Sequence, residues 1–269
     1  MKAISRIYTA LILVFLYAPI AVMIVFSFNS NRSTSVFGGF SLQWYRELFN
    51  DSSTLEALKN TLILAVLSSV IATIFGTLTA VGIYGMKSKF LRSATMTVTN
   101  VPMMNPDIVT GISLMLLFVF VGTFVGSKNS LGFGTMLIAH ITFNLPYVIL
   151  SVLPKLKQTD AHLSEAAQDL GCTPLQSFFK VVLPSIMPGV LTGLMMAFTL
   201  SLDDFVISYF TTGPSFQTLP IKIFSMTKRR VTPDMYALSA LIFLSVLTLL
   251  ILINVAQTGN EKKRGKKGL

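Results

Sequence analysis

Residues Glu165–Pro184 read EAAQDLGCTPLQSFFKVVLP. This is a polar helix–turn–helix inside a chain that is otherwise mostly apolar. Asp160 is placed to cap a first helix, and Gly171 supplies the left-handed residue that ends it. Thr173, Pro174 and Gln176 then read as N-cap, N1 and N3 of a second helix, a capping box with the favoured first-turn proline. Pro184 and Pro188 are expected to stop that second helix. Two short helices should therefore meet at a tight glycine corner between two hydrophobic spans. A loop specified this closely has a role beyond connection.

The rest of the chain explains why such a loop stands out. Of 269 residues, 52% are hydrophobic and only 12% charged, with a mean hydropathy of +0.70. A soluble domain carries roughly 25% charged residues. Six uncharged or nearly uncharged runs appear: Ile7–Phe28, Thr61–Tyr84, Ser93–Ser127, Leu131–Leu153, Gly189–Phe210 and Tyr236–Ala256. Each is long enough to span a bilayer as a helix, which takes roughly 20 residues. The third is too long for one straight span, and Pro102 and Pro106 predict a break or kink within it. The expected fold is all-α: six transmembrane helices in one membrane domain, residues 1–269, with a core of about 57–256 and the polar segment at 160–184.

The net charge of +10 does not point to nucleic acid, because Lys and Arg lie between the spans rather than on one basic face. Their distribution sets orientation instead. With six spans and the N-terminus inside, thirteen of the 21 basic residues fall on the inner side, so both termini are expected in the cytoplasm. Lys228, Arg229 and Arg230 fall outside in this arrangement and run against the bias. The Lys/Arg cluster at 262–267 reads as an anchor beside anionic membrane lipid. The first span is expected to be retained. Its apolar run exceeds that of a signal peptide, and no small-x-small cleavage site follows Phe28. Cys172 is the only cysteine, so no intrachain disulfide forms, and it reads as a small filler.

Between the first two spans, Trp44, Tyr45, Leu48 and Phe49 recur at helical spacing. They predict a short helix along the outer interface, where aromatic rings sit well. Gly122/Gly126 and Gly189/Gly193 form G-x-x-x-G pairs that let helices approach closely. Packing within the chain is the first use expected of them, and contact with a partner subunit the second.

No phosphate-cradling loop is present. The only Gly-Lys pair outside the spans is Gly265-Lys266 in the charged tail, with neither the upstream glycine nor the following Ser/Thr. The chain also lacks His and Cys at metal-ligand spacing, so no metal site and no catalytic residue is expected. His140 stands alone on an apolar span and reads as a packing residue; Asn144 and Pro146 predict some irregularity beside it.

Three intramembrane carboxylates carry the chemistry. Asp107 follows Asn105-Pro106, and Asp203 and Asp204 sit together in the fifth span. A carboxylate at bilayer depth costs roughly 2.5–3.5 kcal/mol on insertion scales, so it faces a cavity or a partner. Ser201, Asp204, Ser208 and Thr211 follow one another at i, i+3, i+7 and i+10, and this stripe is expected to line the water-filled side. Asp203 then points to a neighbouring helix or to a partner subunit. Asp107, Asp203, Asp204, Ser208 and Tyr209 are the expected pathway residues, and an acidic path suits a cationic solute. The competing reading makes Asp203 and Asp204 an ion pair or an N-cap at a helix break, and Asp107 a helix restart.

The spacing Glu165-Ala166-Ala167, then Gly171, then Leu183-Pro184 resembles the cytoplasmic loop of permease subunits of ABC importers. Val181 stands where that family usually has Ile. The S-L-x-W-Y-x-x-L-F segment at 41–49, Pro102-x-x-x-Pro106-Asp107-Ile108-Val109 and Ser201-Leu202-Asp203-Asp204-Phe205-Val206 are similar to the permeases of spermidine/putrescine importers. This resemblance covers essentially the whole chain. It implies a type I importer permease fold and a bacterial inner-membrane location. It implies ATPase coupling through Glu165, Ala166, Ala167, Gly171, Leu183 and Pro184. It also implies a homologous second permease subunit, two cytoplasmic ATPase subunits that bind ATP and Mg, and an external (periplasmic) solute-binding protein. This chain itself would hold no cofactor. Two other readings stand beside the polyamine importer. One is the same machine for another solute, such as iron(III), thiamine or an opine-like compound. The other is an ion-coupled secondary transporter that uses the three aspartates as a proton relay; no inverted repeat supports it.

Overall fold

The apolar runs fold as helices because a backbone in lipid must satisfy its own polar groups. The computed structural model describes residues 2–31, 36–126, 130–160, 162–214, 216–228, 234–248 and 251. Its elements are α1 (Lys2–Phe26), α2 (Gln43–Asn50), α3 (Ser52–Gly85), α4 (Lys89–Met104), α5 (Asp107–Phe124) and α6 (Phe133–Gln158). They continue with α7 (Leu163–Asp169), α8 (Pro174–Ser177), a π-helical turn (Phe178–Val182), α9 (Leu183–Asp203), α10 (Val206–Thr211), α11 (Leu219–Thr227) and α12 (Asp234–Thr248). Among the described residues, five helices are long and apolar enough to cross a membrane: Arg6–Phe26, Ser52–Gly85, Asp107–Phe124, Phe133–Gln158 and Pro174–Asp203. The described part of the sixth expected span is the shorter helix α12. The rest of that span lies outside the described residues, as do Arg229, Arg230 and the basic cluster at 262–267.

The chain divides into two compact units, Met1–Leu55 with Ile223–Leu269, and Glu56–Lys222. In the first, the expected short helix is α2, but its tryptophan does not lie along an interface. Trp44 is 3% exposed, and its indole Nε1 donates to the Asn29 carbonyl at 2.5 Å. The Asn29 side chain in turn accepts from the Asn31 and Gly38 N–H groups and donates to the Val36 carbonyl. A buried indole N–H needs a partner, and this loop carbonyl supplies it.

In the second unit α6 is the central helix, with α9 packed along it and α3 closing the core. Ala72, Ala80 and Ile83 of α3 meet Val148, Ile149, Val152, Leu153 and Leu156 of α6 and Ile186 and Ala197 of α9. The Gly189/Gly193 pair makes this contact within the chain. A Cβ on Gly189 would sit 2.9 Å from the Ser151 carbonyl oxygen, and one on Gly193 would sit 3.2 Å from Val148 Cα. In the Gly122/Gly126 pair, Gly122 also allows close packing within the chain, since a Cβ there would collide with the Ser130 side chain, and Gly126, with φ +72, forms the turn that ends α5. At the other end of α6, Ala139 and Phe143 pack with Ile207 of α10 and with Leu114 and Phe118 of α5.

The third run does break at Asn105-Pro106, giving α4 and α5, with α4 starting at Lys89. Pro184 and Pro188 do not stop the second loop helix, which continues as Pro174–Asp203. The π turn accommodates Pro184: the wider turn lets the Leu183 N–H bond the Phe178 carbonyl, and Pro184 enters in the first turn of α9, where a missing N–H costs least. The fifth run is not one helix. It breaks at Asp204 and Phe205, between α9 and α10.

Candidate functional site

Two sites emerge. The first is the polar turn. Asp160 Oδ1 accepts the His162 N–H at 2.9 Å, so it caps the turn that leads into α7, while the helix's own N-cap position is held by His162. Gly171 has φ +91, the left-handed conformation expected of it. Its N–H bonds the Gln168 carbonyl at 2.8 Å, and the Cys172 N–H reaches back to Ala167 at 3.1 Å, a Schellman closure. Thr173 Oγ1 accepts the Gln176 N–H and Gln176 Oε1 accepts the Thr173 N–H, so both halves of the capping box form. The sequence reading missed the brace between the two helices. Buried Ser177 donates to the Ser164 carbonyl at 3.1 Å and pairs with its hydroxyl at 3.0 Å.

This bracing leaves an outward face. Leu170, Leu175 and Phe179 are 88%, 73% and 60% exposed. Glu165, Ala166 and Gly171 are exposed, while Ala167 is buried. Leu183 packs against the α3–α6–α9 core and Pro184 opens α9, so these two tie the turn to the membrane helices. His162 Nδ1 lies 2.9 Å from Glu165 Oε2, both side chains being exposed. The hydrogen bond that His162 donates to Glu165, then the charges of Glu165 and Asp160, raise the His162 pKa above its ordinary value.

The second site is the helix break. Asp204 is not on a water-filled stripe. Its carboxylate side chain is 8% exposed and accepts the N–H groups of Ile207 at 3.2 Å and Ser208 at 2.7 Å. It thus replaces the carbonyls a continuous helix would offer and starts α10. His140 of α6 completes the arrangement. Its Nε2 is 2.9 Å from Ser208 Oγ and 3.4 Å from Asp204 Oδ2, and its Nδ1 is 3.1 Å from Ser201 Oγ. Ser201 Oγ also accepts from Asn144 Nδ2 at 2.6 Å and pairs with Ser68 Oγ at 2.9 Å. Ser201, Ser208 and Thr211 are buried, so the expected polar stripe faces protein.

The two aspartates therefore do point apart, but in the opposite sense to the one expected. Asp203, the last residue of α9, is exposed, and so is Tyr209 of α10. Asp107 is exposed in the first turn of α5, just after the Asn105-Pro106 break, where the helix dipole favours a carboxylate. Among the described residues, no group of His, Cys, Asp or Glu could hold a metal ion.

A set of bilayer-length helices, a braced polar turn with an exposed face and carboxylates at helix breaks define a multi-span membrane component of a transport machine. The chain belongs to the family of binding-protein-dependent transport system inner membrane components, whose pattern matches residues 72–266. Among its relatives, the spermidine/putrescine transport system permease protein PotC of Escherichia coli (strain K12) is 41% identical over 256 residues, covering 94% of this chain and 93% of that protein. The putrescine transport system permease protein PotI of the same strain is 39% identical over 228 residues, 85% of this chain and 81% of that one. Among solved structures, a bacterial ABC transporter that imports the acidic polysaccharide alginate has a chain matching 95% of this one and 93% of itself. The TM-score is 0.73 and the identity 19%, so that likeness speaks for the fold, the type I ABC importer permease fold.

Proposed function

We infer that this chain is the membrane-spanning permease subunit of an ATP-driven ABC importer that passes polyamines, spermidine and putrescine, into the cytoplasm. The observation that carries the solute is the likeness, along nearly the whole chain, to permeases named for spermidine and putrescine. The geometry fits a translocation subunit. Exposed Leu170, Leu175 and Phe179 beside Glu165 form a rigid apolar face for docking to a cytoplasmic ATPase. ATP and Mg are then bound by that partner, two copies of which serve this chain and a homologous second permease, while an external solute-binding protein delivers the polyamine. Both termini face the cytoplasm.

Polyamines carry ammonium groups separated by methylene chains. Exposed Asp203 and Asp107 offer acceptors, and Tyr209, with Phe205 at 5.4 Å and Phe210 at 5.5 Å between ring centroids, offers aromatic wall. Cation–π contacts of roughly 0.5–2 kcal/mol hold such a solute weakly enough to release it. The test is uptake of labelled putrescine and spermidine in cells whose own polyamine importers are deleted, with this chain supplied alongside its companion subunits. Uptake is expected to stop on ATP depletion and to survive collapse of the proton gradient. An excess of unlabelled polyamine should compete, whereas thiamine and iron(III) should not. Uptake that follows the proton gradient rather than ATP overturns the reading. Labelling of native Cys172 by an impermeant thiol reagent from outside, in place of an introduced Ser53→Cys, overturns the orientation.

A further inference from the structure

His140 sits where three helices meet, and its two ring nitrogens go to different ones. Nδ1 reaches Ser201, the third residue from the end of α9, and Nε2 reaches Ser208 in α10, with Asp204 of the intervening break 3.4 Å away. We propose that His140 is a positioning residue for solute passage. Its imidazole clamps the α9–α10 break from α6, holding Asp204 inside so that Asp203 is the carboxylate presented to a cationic, ammonium-bearing solute. This rests on the polyamine-importer reading above.

The hydrogen bonding has one direction. A carboxylate only accepts, so the ring nitrogen that faces Asp204 and Ser208 carries the proton. With the imidazole neutral, Nδ1 is the acceptor, and Ser201 donates its hydroxyl proton to it. Ser201 accepts in turn from Asn144 Nδ2 and from the Ser68 hydroxyl of α3. Every proton in the chain Ser68, Ser201, His140 thus points toward Asp204, the one anion in the cluster. The sites are almost fully buried: His140 is 1% exposed, Ser201 2%, Ser208 1%, and Asn144 and Ser68 0%. In such a setting each bond is held tightly and each loss leaves an unpaired polar group.

The cluster is not built for stability alone. Asn144 Oδ1 is buried without a hydrogen-bond partner, a cost that an apolar side chain would not incur. The cluster also stands at the one place in the Pro174–Thr211 stretch where the helix is interrupted. Without the clamp, Asp204 keeps its partners in α10, Ile207 and Ser208, but loses its tie to α6. The two exposed residues on either side, Asp203 and Tyr209, then lose their fixed relation, since one belongs to α9 and the other to α10.

The test uses the assembled importer in cells and compares His140→Ala, His140→Gln, Asp203→Asn and the double variant His140→Ala/Asp203→Asn. His140→Ala is expected to lower the maximal polyamine uptake rate about tenfold or more, with the external KM and the amount of co-purified complex unchanged. His140→Gln, whose amide nitrogen can still donate toward Ser208 and Asp204, should recover uptake to within about threefold of the parent. Because His140 acts through Asp203, the double variant should be no slower than Asp203→Asn alone. Uptake by His140→Ala within about twofold of the parent overturns the proposal, and so do multiplying losses in the double variant. A loss matched by missing complex, with no recovery in His140→Gln, assigns His140 to packing and overturns it as well. Failure of the parent importer to move polyamines at all would instead overturn the solute reading.

Discussion

The Gly171 turn and the Asp204 break are both interruptions of helix, and they are closed by different means. At Gly171 the capping groups find their partners within six residues of chain, and even the Ser164–Ser177 brace spans only thirteen: glycine and Cys172 close on α7, and Thr173 and Gln176 cap each other. At Asp204 the partners come from far away. His140 is on α6 and Ser68 on α3, and both reach Ser201 only because α3, α6 and α9 pack together. The first interruption lies open to a partner, and the second is sealed inside. A surface turn made by local bonds keeps its shape when a partner docks or leaves. A break made by bonds between helices changes when those helices move, which suits a pathway that must open and close.

The contrast is most exposed to test at Gly171. Nothing lies within 4 Å of a Cβ built there, so a larger side chain meets no clash and acts only through φ +91. Gly171→Val should abolish uptake, to below about a tenth of the parent, while the chain still inserts and pairs, because a β-branched residue disfavours this conformation by about 1–3 kcal/mol. Gly171→Asn, which tolerates positive φ, should retain most activity. Uptake by Gly171→Val equal to that of the parent would break the view that this corner transmits the ATPase's motion.

The two regions should also differ in how they bear the loss of one hydroxyl. Ser201→Ala leaves Asn144 Nδ2 and His140 Nδ1 short of a buried partner, while Ser68 keeps the Ala65 carbonyl, and each such loss costs about 1–3 kcal/mol. Thr173→Ala removes one exposed cap worth about 1 kcal/mol, and water can take its place. In detergent, the thermal midpoint of the purified complex should therefore fall several times further for Ser201→Ala. Equal shifts would mean that the buried network is no more tightly coupled than the surface cap.

The smallest effect belongs to the His162–Glu165 pair. The folded turn raises the His162 pKa, so the pair is complete below about 6.5 and is lost as the pH climbs through the raised value. Both side chains are exposed, and screening keeps the effect small. Moving the cytoplasmic side of inverted vesicles from about pH 6 to about pH 8 should change the coupled ATPase rate by less than about twofold, and His162→Ala should remove that change. A response of the same size in His162→Ala would assign it to another group.

Much of the molecule was legible without coordinates. Long uncharged runs required helices, Pro106 required a break, and Gly171 with the Thr173–Gln176 box required the corner, since each of these rules acts within a few residues. The same rules misjudged the stretch from Pro184 to Thr211. Of two prolines that stop an isolated helix, Pro184 is accommodated by a π turn and Pro188 is carried inside α9, and a polar stripe read from uninterrupted helical phase is split by its own aspartate. His140 reads as packing from sequence alone, because a lone imidazole on an apolar span shows nothing of what stands opposite. Local signals determined the spans, the turn and the likeness to importer permeases. Which aspartate is buried, and that one histidine joins three helices around it, was decided only by packing, because those hydrogen bonds connect residues 57 to 133 positions apart that no local rule brings together.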